Sequence, residues 1–223
     1  MTTIIITTLI FILIAGFVKV YKQDRNLKKD HEFAFNYRNK FVQFANNYYK
    51  GYDRWIRTGN IDSELYVWLT KNVSKMQSDV GIFGYMDYIA TFQTYQISNY
   101  QIIVNTIPKF RDGLIQDLDI NSVDDCLLRY LGFLEERSIS TQKHLRNPII
   151  WFRIGFQEII SIPLFVLNWF GIFSSKTVNA IMNSIIYKLL TGVIALVTIL
   201  SGLVTIIQGK EKTIEIINSF LDK

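Results

Sequence analysis

Two histidines (His31, His144), one cysteine (Cys126) and the acidic run Asp117-Leu118-Asp119-Ile120-Asn121 are the residues of this 223-residue chain whose types most readily do chemistry. Neither histidine stands in an H-E-x-x-H or other ligand spacing, and no acidic constellation completes a metal site, so both read as surface residues. The acidic run opens like a calcium loop. Ser122, however, stands where the sharp turn needs glycine, and Leu128 where a bidentate glutamate belongs. A single cysteine forbids an internal disulfide, and the setting Asp125-Cys126-Leu127-Leu128 suits a small core residue better than a nucleophile. Gly81-Ile82-Phe83-Gly84 lacks the Lys-Ser/Thr of a phosphate loop and the third glycine of a dinucleotide fingerprint, which makes it a connection between helices. No G-x-S-x-G elbow occurs either. The expectation is a protein that is not an enzyme and that carries no metal or cofactor.

One cluster could bind a ligand. Lys28, Lys29, Arg38 and Lys40 interleave with Phe33, Phe35, Tyr37 and Phe41, setting phosphate partners beside rings on which bases could stack. The same aromatics also fall on the apolar stripe of a helix, and the same cations suit anionic lipid. The four residues are therefore candidate contacts for a nucleotide or for lipid headgroups.

The elements that would hold these residues follow from where the apolar residues lie. The chain is 49% hydrophobic and only 19% charged, and the excess sits at the two ends. Thr2 to Val18 carries no charge and would form about 26 Å of helix, a minimal bilayer span if Lys19 snorkels. Lacking a basic leader before it, the stretch reads as an uncleaved anchor rather than a signal peptide. Lys19, Lys22, Arg25, Lys28 and Lys29 follow, which predicts an N-terminus outside and a downstream body in the cytosol. Leu189 to Ile207 is a stronger span, about 28 Å long, flanked by Tyr187, Lys188, Lys210 and Lys212.

Within that second span Thr191, Ala195, Thr198, Gly202 and Thr205 recur at steps of four, three, four and three, on one face. In lipid such a small-residue face marks close helix packing, here with another copy of the chain. The alternative is that the threonines line a water-filled pore.

Asn147 to Phe173 is apolar but interrupted by Arg153, Glu158 and Pro163. Each charge would cost about 3 kcal/mol at mid-bilayer, and a pair five residues apart does not meet on one helix face. A third span, an interfacial pair and a re-entrant hairpin all remain open. The favoured form is a membrane-surface helical hairpin broken at Pro163, with Trp151, Arg153 and Trp169 at the interface. The side of the C-terminus stays open with it.

Between these segments the pattern is helical. Ala34, Tyr37, Phe41, Phe44, Tyr48, Tyr52 and Trp55 form one stripe, and Leu65, Trp68, Leu69, Val73, Met76 and Val80 a second, capped by Asp62 or Ser63. A third helix is expected from about Asp87 to Ile107, although Tyr95 to Val104 is rich in β-formers. A fourth should open at a Ser122/Asp125 capping box. The predicted architecture is an all-α integral membrane protein. Its parts are an N-terminal anchor (1–22), a cytosolic helical bundle (23–146), an interfacial or re-entrant hairpin (147–175), a C-terminal transmembrane helix (185–209) and an amphipathic tail (210–223).

Asn147-Pro148, Trp151-Phe152-Arg153, Gly155, Pro163 and Trp169-Phe170-Gly171, with a hydrophobic segment at each end, resemble a pattern of small bacterial membrane proteins that serve as antiphage-defence effectors. In layout the chain is similar to the transmembrane effectors of Hailong-type systems. That resemblance implies a homo-oligomer, such as a tetramer, that opens or damages the inner membrane and is restrained by an oligonucleotide from a partner synthase. It carries over no individual residue. A membrane anchor or scaffold that docks a cytosolic partner protein is the competing expectation.

Overall fold

The computed structural model describes residues 2–53, 59–89 and 96–221. Its elements are α1 (Thr2–Lys50), α2 (Ser63–Val80), a 3-10 turn (Gly81–Gly84), β1 (Tyr85–Ile89), β2 (Gln96–Gln101), α3 (Ile102–Arg111), α4 (Asp117–Leu145), α5 (Pro148–Trp169), α6 (Ser175–Asn183) and α7 (Ile185–Leu221). Three of these helices, α1, α5 and α7, are long and apolar enough to cross a membrane. The chain divides into two compact units, one of residues 25–140 and one of residues 1–24 with 141–223.

The unit of residues 25–140 is a helical bundle with a β-hairpin. Its core is built from Ala34, Tyr37, Phe41, Phe44 and Tyr48 of α1, Leu69 and Met76 of α2, Ile103, Ile107 and Phe110 of α3, and Val123, Leu127 and Leu134 of α4. Phe110 meets Phe41, Phe44 and Tyr48 edge-on at centroid distances of 6.2, 4.9 and 5.1 Å, which is how the α1 stripe finds its partner. The stripe ends sooner than its spacing implied. α1 stops at Lys50, Tyr52 is 37% exposed, and Trp55 lies outside the described residues.

Two expectations for this unit need correction. The fold is not all-α: where a helix from Asp87 was expected, β1 and β2 pair antiparallel, with Tyr85 opposite Gln101 and Ile89 opposite Gln96. The β-forming residues noted after Tyr95 prevail there, and the register slips between Met86 and Tyr88. Asn99 on the partner strand takes φ 57°, a conformation asparagine tolerates better than most residues. The fourth helix also starts five residues before the expected capping box, at Asp117. Asp119, not Ser122, does the capping: one carboxylate oxygen accepts from the Gln116 amide at 3.1 Å and the other holds Lys109 at 2.7 Å. The calcium-like run is thus a helix start. Asp62 caps α2 as expected, accepting from the Leu65 amide at 3.1 Å.

Gln77 is the buried polar residue that ties this unit together. Its amide nitrogen donates to the Gly84 carbonyl at 2.9 Å, while its oxygen accepts from the backbone of Ile103 at 3.0 Å and of Val104 at 3.4 Å. It thereby satisfies orphan donors at the start of α3, whose own cap position, Gln101, makes no side-chain bond.

In the other unit, α5 is one continuous helix through Pro163, so the expected break there does not occur. Asn147 caps it and Pro148 occupies its first turn, where a missing amide costs nothing. The first part of α1 crosses α5 at Gly16 and Gly155. A Cβ on Gly16 would lie 1.8 Å from the Trp151 carbonyl oxygen, and one on Gly155 would lie 1.9 Å from that of Ile12. Only bare backbone fits this crossing. Phe17 packs its ring edge-on to Trp151 beside it at 5.0 Å.

Replacing Gly155 by Ala should therefore destabilise the detergent-solubilised protein by about 1–3 kcal/mol or more, read as a lowered thermal midpoint. Gly132→Ala on an exposed face of α4, where an added Cβ meets nothing, should raise it by up to about 1 kcal/mol. Gln77→Leu should cost about 1–3 kcal/mol by denaturant titration, because it strands buried backbone groups.

Candidate functional site

The small-residue face of α7 is the strongest sequence candidate, and its members meet different surroundings. Thr191 is buried, and its hydroxyl donates back to the carbonyls of Tyr187 at 2.9 Å and Lys188 at 3.1 Å. Ala195 is buried in a cluster with Ile12 of α1 and Phe152 and Phe156 of α5. Thr198 is exposed, its hydroxyl turned to the Ile194 carbonyl at 2.8 Å. At Gly202 an added Cβ would meet nothing within 4 Å. The side chain of Thr205 lies outside the described residues. The stripe therefore splits, with Thr191 and Ala195 packed inside their own unit and Thr198 and Gly202 uncovered. Back-bonding to the preceding turn is also what lets threonine hydroxyls sit in an apolar helix without a separate partner.

A polar belt joins the three helices near this face. Lys19 of α1 pairs with Glu158 of α5 at 2.9 Å, both partly exposed. Ser161, one turn further along α5, is fully buried; its hydroxyl donates to the Gln157 carbonyl at 2.5 Å and lies 2.9 Å from the Tyr187 hydroxyl of α7. The partner of Glu158 is thus on another helix, not the Arg153 of its own. A lone carboxylate in an apolar segment does signal a basic partner, but nothing in the sequence says which of the flanking lysines it takes.

The three interface candidates also part company. Trp151 is half-buried, its indole N–H donating to the His144 carbonyl at 2.9 Å. Arg153 is exposed, and Trp169 is 82% exposed beside Phe170.

In the bundle, the four candidate cations do not converge. Arg38 grips Asp124 of α4 with two contacts, 2.7 and 3.0 Å, in the forked geometry that commits a guanidinium to one carboxylate. Lys40 lies over the Trp68 ring at 5.0 Å, and Lys29 is exposed. Lys28 borders an open groove with Leu27, His31, Glu135, Ser138 and Ile139, in which His31 Nε2 lies 3.4 Å from a Glu135 oxygen. Tyr37 and Phe41 are fully buried, Phe33 lies under Lys75 at 3.9 Å, and Phe35 stacks on His31. A row of rings alternating with free cations, as stacked bases would require, is not formed by these residues.

Among the described residues no group of three His, Cys, Asp or Glu could hold a metal ion. Asp117 accepts from the Tyr49 hydroxyl at 2.9 Å, and partial burial together with that carboxylate raises the tyrosine well above its ordinary range. Burial pushes the Cys126 thiol up to about 11, with Arg129 opposing weakly. The chain matches no protein-family model, no curated protein and no solved structure.

The raised Cys126 keeps the neutral thiol dominant at pH 8, so a maleimide should label native protein slowly and denatured protein at once. Fast labelling at pH 8 without denaturant would contradict the buried site.

Proposed function

We propose that the chain is a homo-oligomeric bacterial inner-membrane effector. Its cytosolic body, residues 23–146, receives a signal, and its α7 helices meet through Thr198, Gly202 and the turn that follows to open a pore or disrupt the bilayer. The observation that carries this reading is the divided α7 face. Thr191 and Ala195 are already occupied within the chain, while Thr198 and Gly202 have no packed neighbour on a helix whose other exposed residues, among those described from Leu189 to Ile207, are Leu, Ile and Val apart from Ser201. Small residues that allow close backbone approach are the means by which helices associate in lipid, where burial from water supplies no drive. This narrows the pore-lining candidates from five residues to the distal part of the stripe. The resemblance to antiphage effectors supplies the biological setting, and an oligonucleotide or nucleotide the class of signal.

A second reading is a non-conducting anchor that docks a partner protein on its body. The exposed apolar residues there, among them Val67 at 62%, Leu114 at 68% and Leu118 at 66%, favour it.

Ion flux separates the two. Induced expression in bacterial cells carrying a potential-sensitive dye should depolarise the membrane and slow growth. Thr198→Leu or Gly202→Leu should abolish most of that effect, while Val193→Leu on another exposed face leaves it intact. A wild-type chain that inserts fully yet neither depolarises cells nor slows growth would exclude the pore.

A further inference from the structure

α5 runs beside α7, and the residues that touch set the sense of the pair. Ser161 meets Tyr187 through their hydroxyls at 2.9 Å, while Phe152 and Phe156 meet Ala195 in one apolar cluster. Moving back along α5 from Ser161 to Phe156 and Phe152 is therefore moving forward along α7 from Tyr187 to Ala195. The rises agree, at about 8 to 14 Å on α5 against about 12 Å on α7, so the two helices pack antiparallel. Helix α6, which touches both, connects them. The same cluster contains Ile12 of α1. Ile12 lies within the uncharged stretch from Thr2 to Val18, and Ala195 within that from Leu189 to Ile207. Where those stretches are in lipid, the first half of α5 is in lipid between them.

The charges and the proline that argue against burying α5 are each accommodated. Glu158 is bonded to Lys19 at 2.9 Å, so the carboxylate enters the apolar layer as one half of an ion pair. Arg153 is exposed and stands five residues after Pro148, about 8 Å from the start of the helix. Side chains on a helix lean toward its N-terminus, which carries the guanidinium back toward the headgroups at that end. Pro163 leaves the helix unbroken, and the 22 residues of α5 give about 33 Å, enough for a hydrocarbon core of about 30 Å. Beyond the buried Ser161, the exposed residues Ile162, Phe165, Val166 and Trp169 are apolar, as lipid contact requires.

The distribution of cations gives the direction of crossing. Lys143 and Arg146 stand just before α5, and Lys210 and Lys212 follow the apolar part of α7. Residues 170–184, between the two helices, contain a single charged residue, Lys176. Lys188, near the start of α7, is exposed and leans toward that same connection. Lysine and arginine near the ends of spans collect on the cytosolic side. The start of α5 and the end of α7 therefore belong with the cytosol, and the connection between them belongs outside. Antiparallel packing demands the same arrangement, and it was read from the contacts without reference to charge.

We propose that α5 is a third membrane crossing, in place of the surface hairpin expected from the sequence. Residues 170–184 then lie on the same side as the N-terminus, and the tail from Lys210 lies in the cytosol. Because α7 runs toward the cytosol, Thr198 and Gly202 fall in the cytosolic half of the bilayer, which locates the contact between copies proposed above. The proposal rests on the reading that α1 and α7 are in lipid, and its test separates the two. In full-length protein carrying Cys126→Ala, single cysteines are introduced as Glu136→Cys in the body, Asn179→Cys on α6 and Asp222→Cys at the C-terminus. Each is treated with a membrane-impermeant maleimide in inside-out vesicles and in intact spheroplasts. Glu136→Cys and Asp222→Cys should label in the vesicles, and Asn179→Cys in the spheroplasts. If Asn179→Cys labels from the same face as Glu136→Cys, α5 does not cross and the proposal is overturned. As a readout that needs no cysteine variant, green fluorescent protein fused after Lys223 should fluoresce, since it matures in the cytosol. Alkaline phosphatase fused there should stay inactive, and the reverse pair of results would overturn the proposed side of the tail. If alkaline carbonate strips the wild-type chain from the membrane, the membrane reading itself has failed, and the third crossing with it.

Discussion

The backbone contact between Gly16 and Gly155 is the constraint on which the apolar unit depends. With a hypothetical Cβ on either residue falling within 2 Å of a carbonyl oxygen of the other helix, the helices approach as closely as their main chains permit. Everything nearby is set by that approach: the Phe17–Trp151 ring contact, the Lys19–Glu158 ion pair and the cluster of Ile12, Phe152, Phe156 and Ala195. Where no water is squeezed out by helix association, shape and close approach must do the work, and glycine permits both. Distance alone makes the crossing tight.

Several polar residues of this unit are given a partner within it. Thr191 and Thr198 bond to their own preceding turn, Ser161 serves a carbonyl of its own helix and a hydroxyl of another, and Glu158 is neutralised by Lys19. The bundle of residues 25–140 solves a different problem. Its apolar core is conventional, and its polar groups do their work at helix ends and between helices, as with Gln77 at the start of α3, Asp119 at the start of α4 and the Arg38–Asp124 pair. A buried glutamine that satisfies three backbone groups specifies where a helix begins more sharply than an apolar residue could.

The functional reading follows from how these two sets of contacts divide the chain's exposed surface. The part of α7 that packs on α5 is closed to other partners, and the part beyond it is open and small-faced. In the bundle, Arg38 and Lys40 are held by Asp124 and Trp68, and Tyr37 and Phe41 beside them are in the core, while Lys28 and His31 border an open groove.

By itself the sequence determined the class of most segments, the stretch from Asp87 to Gln101 excepted. Uncharged stretches long enough to cross a bilayer, apolar residues at steps of three and four, and Asp62 before a periodic run are local signals, and the structure carries helices in each place. It did not determine what each segment meets. That Glu158 answers to Lys19, that Arg38 is taken by Asp124, that the α7 stripe is half occupied, and that residues 85–101 pair as strands were decided in three dimensions. The physical reason is that propensity and periodicity are properties of neighbours in the chain, whereas ion pairs, glycine crossings and strand pairing depend on which distant residue lies opposite. Gly16 is the clearest case: in the sequence it is one small residue in an apolar run, and only the carbonyl of Trp151 against it explains why nothing larger fits.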